Sequence, residues 1–246
     1  MTTKLSRKPR RSRLRSAPGP LDFAQSITDR ANRLKDRGRL RSAEALFRKS
    51  LRLRKKILGP KHAEVAHSMN SLANLLNEQG RYAEAEPLYR ESLEVRKQTL
   101  GPGHREVAAS LSNLANLLQG TGRHKEAEPL YRHSLRLRKK AYGPRHQNVA
   151  MCLSNLAILM QNTGRLAQAE SLFKQALRLL ERAVGPAHEL TAYTKANLAD
   201  FLLLTGRAAE ALPLARQARA DLRAALPRGH RYNQWAREVF KRAQTR

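Results

Sequence analysis

The sequence predicts an all-α protein, a right-handed α-solenoid of antiparallel helix pairs. Three observations carry that class. Gly38, Gly80, Gly122, Gly164 and Gly206 recur every 42 residues, each followed by arginine, from Arg39 and Arg81 to Arg207. Three further columns keep the register: Ala43 to Ala211, His62 to His230, and the Gly-Pro pairs 59–60, 101–102, 143–144 and 185–186. Between these marks the apolar residues have helical spacing, as in Met69, Leu72, Ala73 and Leu76, which fall at i, i+3, i+4 and i+7.

Taken in order, residues 1–20 hold seven cations, no acid and almost nothing that packs a core. Such a segment cannot offset its ordering entropy, so it reads as a basic disordered arm. Arg10-Arg11 is followed by no apolar stretch, which argues against an export signal. Residues 21–230 then read as five units, about 24–65, 66–107, 108–149, 150–191 and 192–233. Within the second unit, a first helix over Ala66 to Glu78 is stopped by Gly80, because glycine accepts the left-handed conformation of a helix end. A second helix follows from about Ala83 to Thr99, with Pro87 placed in its first turn, where proline costs least. The fifth unit departs from the pattern: Leu212, Ala215 and Arg219 replace acidic, aromatic and leucine columns, as expected of a terminal repeat. Tyr232, Trp235, Val239, Phe240 and Ala243 then share one apolar face, so residues 231–246 read as a capping helix.

The pattern N-L-A-x-L-L-x(3)-G-R-x(3)-A-E-P-L-Y-R-x-S-L, running from Asn113, resembles the tetratricopeptide repeat in its 42-residue, kinesin-light-chain-like form. The resemblance covers about residues 24–233 and implies a superhelix whose concave face is lined by the first helix of each unit. It also implies a protein-binding scaffold in which groove amides hold peptide ligands.

No catalytic motif is present, and the chain reads as non-enzymatic with no cofactor. Gly101-Pro102-Gly103 and Gly120-Thr121-Gly122 lack the third glycine and the strand of a dinucleotide fingerprint. The five periodic histidines lie in separate units, about 10 Å or more apart given helix packing distances, whereas a Zn–N bond spans about 2 Å. They read as turn residues at helix starts. Cys152, the only cysteine, reads as a small buried hydrophobe. No run approaches the ~20 apolar residues of a membrane span, and the expected location is cytoplasmic, with no membrane partner.

Two surfaces could bind. On the first helices, amides recur beside the core leucines: Asn70, Asn74 and Asn77, then Asn113, Asn116 and Gln119, then Asn155 and Asn162, then Asn197. Each amide offers a donor and an acceptor, so a row of them can pair with both groups of a peptide backbone whatever its side chains. The competing reading is that they knit neighbouring helices. On the second helices, Arg52, Lys55, Lys56, Lys97, Arg136, Lys139, Lys140 and Arg178 form basic stripes. The Arg48, Arg90, Arg132 and Lys174 column is instead expected to pair with Glu44, Glu86, Glu128 and Glu170, four residues earlier.

With 48 basic against 20 acidic residues, the net charge is +28, and more than half of it lies in residues 1–65. The leading expectation is therefore an adaptor holding an acidic peptide or helix in its groove. The second is association with nucleic-acid phosphates through the arm and outer stripes. Self-association through the repeat ends is left open, with the capping helix covering one of them.

Overall fold

The 42-residue period becomes two helices per repeat because each glycine interrupts the apolar pattern where the chain must reverse. A computed structural model describes residues 19–245, so the basic arm expected at 1–20 lies almost wholly outside the described residues. All of the regular structure described is helical. The chain forms two compact units that divide after Pro60.

The first unit pairs α1 (Pro20–Asp36) with α2 (Leu40–Leu58). Pro20 opens α1, where its missing N–H is no loss. Ser50 Oγ donates to the Ala24 carbonyl at 2.9 Å, and Ala24, Ala31 and Ala43 are fully buried, which lets the two backbones close in. Arg54 is also buried and spends its guanidinium inside the pair, donating to Thr28 Oγ1 at 2.8 Å and Gln25 Oε1 at 2.6 Å. A buried charge is tolerated only when hydrogen-bonded in this way.

The second unit contains α3 (Ala63–Glu78), α4 (Tyr82–Leu100), α5 (Arg105–Gly120), α6 (His124–Tyr142), α7 (Gln147–Asn162), α8 (Leu166–Ala183), α9 (Glu189–Leu204), α10 (Ala208–Ala225) and α11 (Arg231–Gln244). The pairs α3/α4, α5/α6, α7/α8 and α9/α10 pack most closely, and each then packs on the next. Ser92 and Ser134 repeat the Ser50 bond, donating to Ala66 and Ala108 carbonyls at 2.8 and 2.7 Å. Buried Leu72, Leu75, Leu76 and Tyr89, and their counterparts in α5 and α6, fill the space between helices. Each such side chain contributes about 1.5–3 kcal/mol by leaving water.

The periodic histidines are helix N-caps. His62, His104, His146, His188 and His230 each accept through Nδ1 from the backbone N–H two residues on, at 3.1–3.3 Å. This satisfies one of the unpaired donors at a helix start. It also explains why α3 begins at Ala63, three residues before the apolar pattern does. Among the described residues no cluster of His, Cys, Asp or Glu is arranged to hold a metal.

Pro87 is placed differently from the sequence expectation. Helix α4 starts at Tyr82, so Pro87 lies inside the helix and past its first turn, as do Pro129 in α6 and Pro213 in α10. Both Pro87 and Ala83 are exposed, so the carbonyl that loses its helical donor is open to water, which reduces the cost. Gly80 and Gly101 sit at φ 74° and 86°, a left-handed region that a side chain would strain.

Repeats are also joined by ion pairs that cross from one to the next. Glu86 accepts from Arg90 at 2.6 Å, as its spacing predicts, but also from Arg123 of the following repeat at 2.8 Å. Glu128 does the same with Arg132 and Arg165, and Glu170 with Lys174 and Arg207. Arg123, Arg165 and Arg207 are therefore inter-repeat clasps. Hydrogen bonds from Lys174, then Arg207, hold the Glu170 carboxyl below its ordinary 4.5. A carboxylate with a folded pKa below its unfolded value stabilises fully above the unfolded value and loses that contribution as pH falls through the folded one. Thermal melts from about pH 5 to pH 3 should therefore fall less steeply for Glu170→Gln than for the parent chain. The difference should be about 1 kcal/mol or less, since the partners are half exposed. Parallel curves would mean that the clasp contributes nothing.

Candidate functional site

Within the second unit, α3, α5, α7 and α9 touch one another directly, whereas no comparable contact joins α4 to α6, α6 to α8 or α8 to α10. The first helices therefore crowd the inside of the curve and the second helices spread on its outside. The inner face carries the predicted amides of this unit, and their bonds divide them.

Tyr89 Oη donates to Asn74 Oδ1 at 2.6 Å, and Tyr131 Oη donates to Asn116 Oδ1 and toward Gln119 Oε1 at 3.0 Å. Burial pushes both phenols well above the ordinary tyrosine range, so they remain neutral donors. Two further bonds run between repeats: Asn113 Nδ2 to Asn70 Oδ1 at 3.1 Å, and Asn155 Nδ2 to Asn116 Oδ1 at 3.2 Å. Thus Asn70, Asn74 and Asn116 have their carbonyl oxygens engaged inside the protein. What remains is complementary. Asn74 Nδ2 and Asn116 Nδ2 have no acceptor, and Asn113 Oδ1 and Asn155 Oδ1 have no donor, among the described residues. Asn197 is nine-tenths buried beside the Tyr193 hydroxyl, yet its Nδ2 makes no hydrogen bond of good geometry. Asn77 and Asn162 lie near the C-terminal ends of α3 and α7 and make no side-chain bond to the others.

The coupling of tyrosine to asparagine was readable in the sequence. Asn74 and Tyr89 are fifteen residues apart, as are Asn116 and Tyr131. In the next repeat the two positions become Ile158 and Phe173, so both polar partners disappear together.

The C-terminal end of this face is aromatic. Tyr193 of α9 packs at a tilt of 46° against both Tyr232 and Trp235 of α11, with ring centroids 4.7 and 5.5 Å apart. Arg231 lies over Tyr232 and reaches Glu78 at the end of α3, 3.8 Å away. Asp200, which continues the Asn74 column, is neutralised by Arg242 at 2.7 Å.

The basic stripes are unevenly occupied. Lys97 is held by Glu94 at 3.5 Å. Arg136, Lys139, Lys140 and Arg178 are exposed and form no ion pair among the described residues. In the first unit, Arg52 and Lys56 are exposed and Lys55 is half-buried. Cys152 is buried, with Sγ 3.4 and 3.3 Å from the Ser112 and Ser134 hydroxyls. Among the described residues no helix is long and apolar enough to cross a membrane.

Solved structures share this fold at low sequence identity. A Podosopora anserina protein of nearly identical TPR-like repeats, assigned to the kinesin light chains, is 23% identical over 85% of this chain and 99% of its own, with a TM-score of 0.66. BtubC (BKLC) from P. vanneervenii is 21% identical over 86% and 85%, with a TM-score of 0.68. The Rap conjugation gene regulator of plasmid pLS20, solved in complex with a Phr peptide, is 14% identical with a TM-score of 0.76; the match covers 92% of this chain and 60% of the regulator. No curated protein sequence matches. The tetratricopeptide repeat model matches residues 23–98, 67–140, 106–182 and 153–224, and the chain belongs to that family.

Proposed function

We propose that this chain is a non-catalytic scaffold that holds an acidic peptide or helical segment of another protein on the inner face of its second unit. The carrying observation is the set of unspent amide atoms: donors on Asn74 and Asn116, and acceptors on Asn113 and Asn155. A peptide backbone presents N–H and C=O groups in alternation, which is the complement of that set. Ile158 and the 58% exposed Leu204 add apolar contacts along the same helices. The net charge of +28 favours acidic ligands and speeds their encounter. That the Rap regulator was solved with a peptide is in keeping with this reading, although the likeness itself is one of fold.

The test is affinity capture from nuclease-treated extract of the source cells, followed by a salt titration of whatever binds. Protein ligands should survive nuclease, and their affinity should fall as salt rises. Affinity that stays flat or rises with salt would remove the acidic-ligand part of the proposal. The second reading, binding to nucleic-acid phosphates, is favoured by the exposed, unpaired Arg136, Lys139, Lys140 and Arg178. Under that reading the captured material disappears with nuclease.

A further inference from the structure

The outer face of the second unit is not uniformly basic. Between α6 and α8, above α7, lies a cleft of about 500 Å³ lined by Lys139 of α6, Arg145 of the connecting loop, and Arg178 and Arg182 of α8. Its floor and rim are apolar: Val149, Leu153, Leu179 and Pro144. No carboxylate lines it, and none of the four cations is in an ion pair among the described residues. By contrast, Arg90, Arg123, Arg132, Arg165 and Arg207 of the same unit are held by glutamates.

The repeat supplies its own controls. One repeat on, Lys139 becomes Glu181, Arg178 becomes Ala220 and Arg182 becomes Ala224, while Lys195 is paired with Asp221 at 3.4 Å. One repeat back, Arg145 becomes Gly103, and Lys97, in the place of Lys139, is held by Glu94. Near the C-terminal end, Arg219, Arg223, Arg228 and Arg237 line an opening whose other lining residues are Asn233 and Gln234, whereas at the α6/α8 junction four uncompensated cations surround one opening over an apolar floor. Their mutual repulsion is relieved best by a single multivalent anion, and arginine forks match phosphoryl oxygens in pairs. A single carboxylate would neutralise one cation of the four. The volume is that of a small-molecule site rather than a track for a long polymer, and the apolar floor suits a flat organic body.

We propose that the cleft formed by Lys139, Arg145, Arg178 and Arg182 binds a small organic polyphosphate of the nucleoside di- or triphosphate class. This site lies on the opposite face from the amides and does not depend on the peptide reading. The experiment is calorimetric titration of the full chain with ATP at near-physiological salt, repeated with pyrophosphate and with a short DNA duplex. ATP should bind the parent chain. Arg178→Gln/Arg182→Gln should weaken it at least about tenfold, with helicity and melting temperature unchanged, because both side chains are exposed. Arg136→Gln/Lys140→Gln, one repeat back, should change it by less than about twofold. Failure of the parent chain to bind ATP would overturn the proposal, as would equal losses in the two variants, which would mean diffuse charge attraction. Pyrophosphate binding as tightly as ATP would remove the role of the apolar floor and with it the nucleotide class. A duplex that binds more tightly than ATP, and is weakened by both variants alike, would replace the site with a nucleic-acid surface.

Discussion

Replacing Asn74 and Asn116 together by aspartate is expected to abolish ligand capture while leaving the melting temperature within about 2 °C of the parent. The choice of aspartate follows from how each amide is divided. Oδ1 accepts from a buried tyrosine, and only Nδ2 is left for a ligand. Aspartate keeps the acceptor, and the neutral phenols of Tyr89 and Tyr131 can still donate to it. Asn116 is exposed and Asn74 half-buried, so the new charges stay partly solvated. The donors are lost, the ligand carbonyls they served go unpaired, and two negative charges face an acidic segment. At about 1–2 kcal/mol for each lost donor, affinity should fall on the order of 100-fold. Alanine makes a poorer test. It strands the buried Tyr89 hydroxyl at about 1–3 kcal/mol and leaves Tyr131 with Gln119 alone, so lost binding could not be told from lost structure. Asn74→Ala/Asn116→Ala should therefore melt clearly lower. Capture that survives the aspartate pair in a fully folded protein would sink the groove proposal.

The repeat register, the helix pairing and the C-terminal apolar face were legible because each is written as a period or a stripe. Glycine columns mark reversals, and i, i+3, i+4 spacing marks the buried side of a helix. What was not legible depends on which helix faces which. The pairing of Glu86 with Arg90 follows from spacing along one helix. Its second partner, Arg123, lies 37 residues on and meets it only once two repeats are stacked. The histidines were placed at helix starts, but their use of Nδ1 as the cap acceptor is a matter of local geometry. The sequence alone starts the helix of Pro87 after Tyr82 and so puts the proline in a first turn; the Gly80-Arg81 turn is shorter than its polar composition suggests. The amides show the limit most clearly. Their residue type announces one donor and one acceptor each, and the fifteen-residue spacing couples them to Tyr89 and Tyr131, but which amide atom the tyrosines take is set by side-chain geometry in the fold.

Deleting residues 231–246 is expected to destabilise the α9/α10 pair selectively, lowering the melting temperature by about 5–10 °C. Helix α11 buries Ala236, Val239, Phe240 and Ala243, and it packs on both α10 and α9. Val239 and Phe240 alone contribute about 3–6 kcal/mol by area. The tilted packing of Tyr193 on Tyr232 and Trp235 adds to this, as does Arg219 over the Phe240 ring at 4.7 Å. The Arg242–Asp200 pair is half exposed and should contribute less than about 1 kcal/mol, so Arg242→Ala serves as a near-silent control. In a repeat array each pair is stabilised mainly by its neighbours, so the loss should stay local. Amide exchange should rise along α9 and α10, where Ala192 and Leu222 become exposed, and remain slow along α3 to α6. Trp235 is the only tryptophan, so its emission reports in the intact chain whether α11 stays docked. A truncated chain with unchanged exchange in α9 would mean that α11 is an appendage rather than a cap. Loss of protection in every helix would mean instead that the second unit unfolds as one cooperative block, with the inter-repeat clasps transmitting the loss from its end to α3.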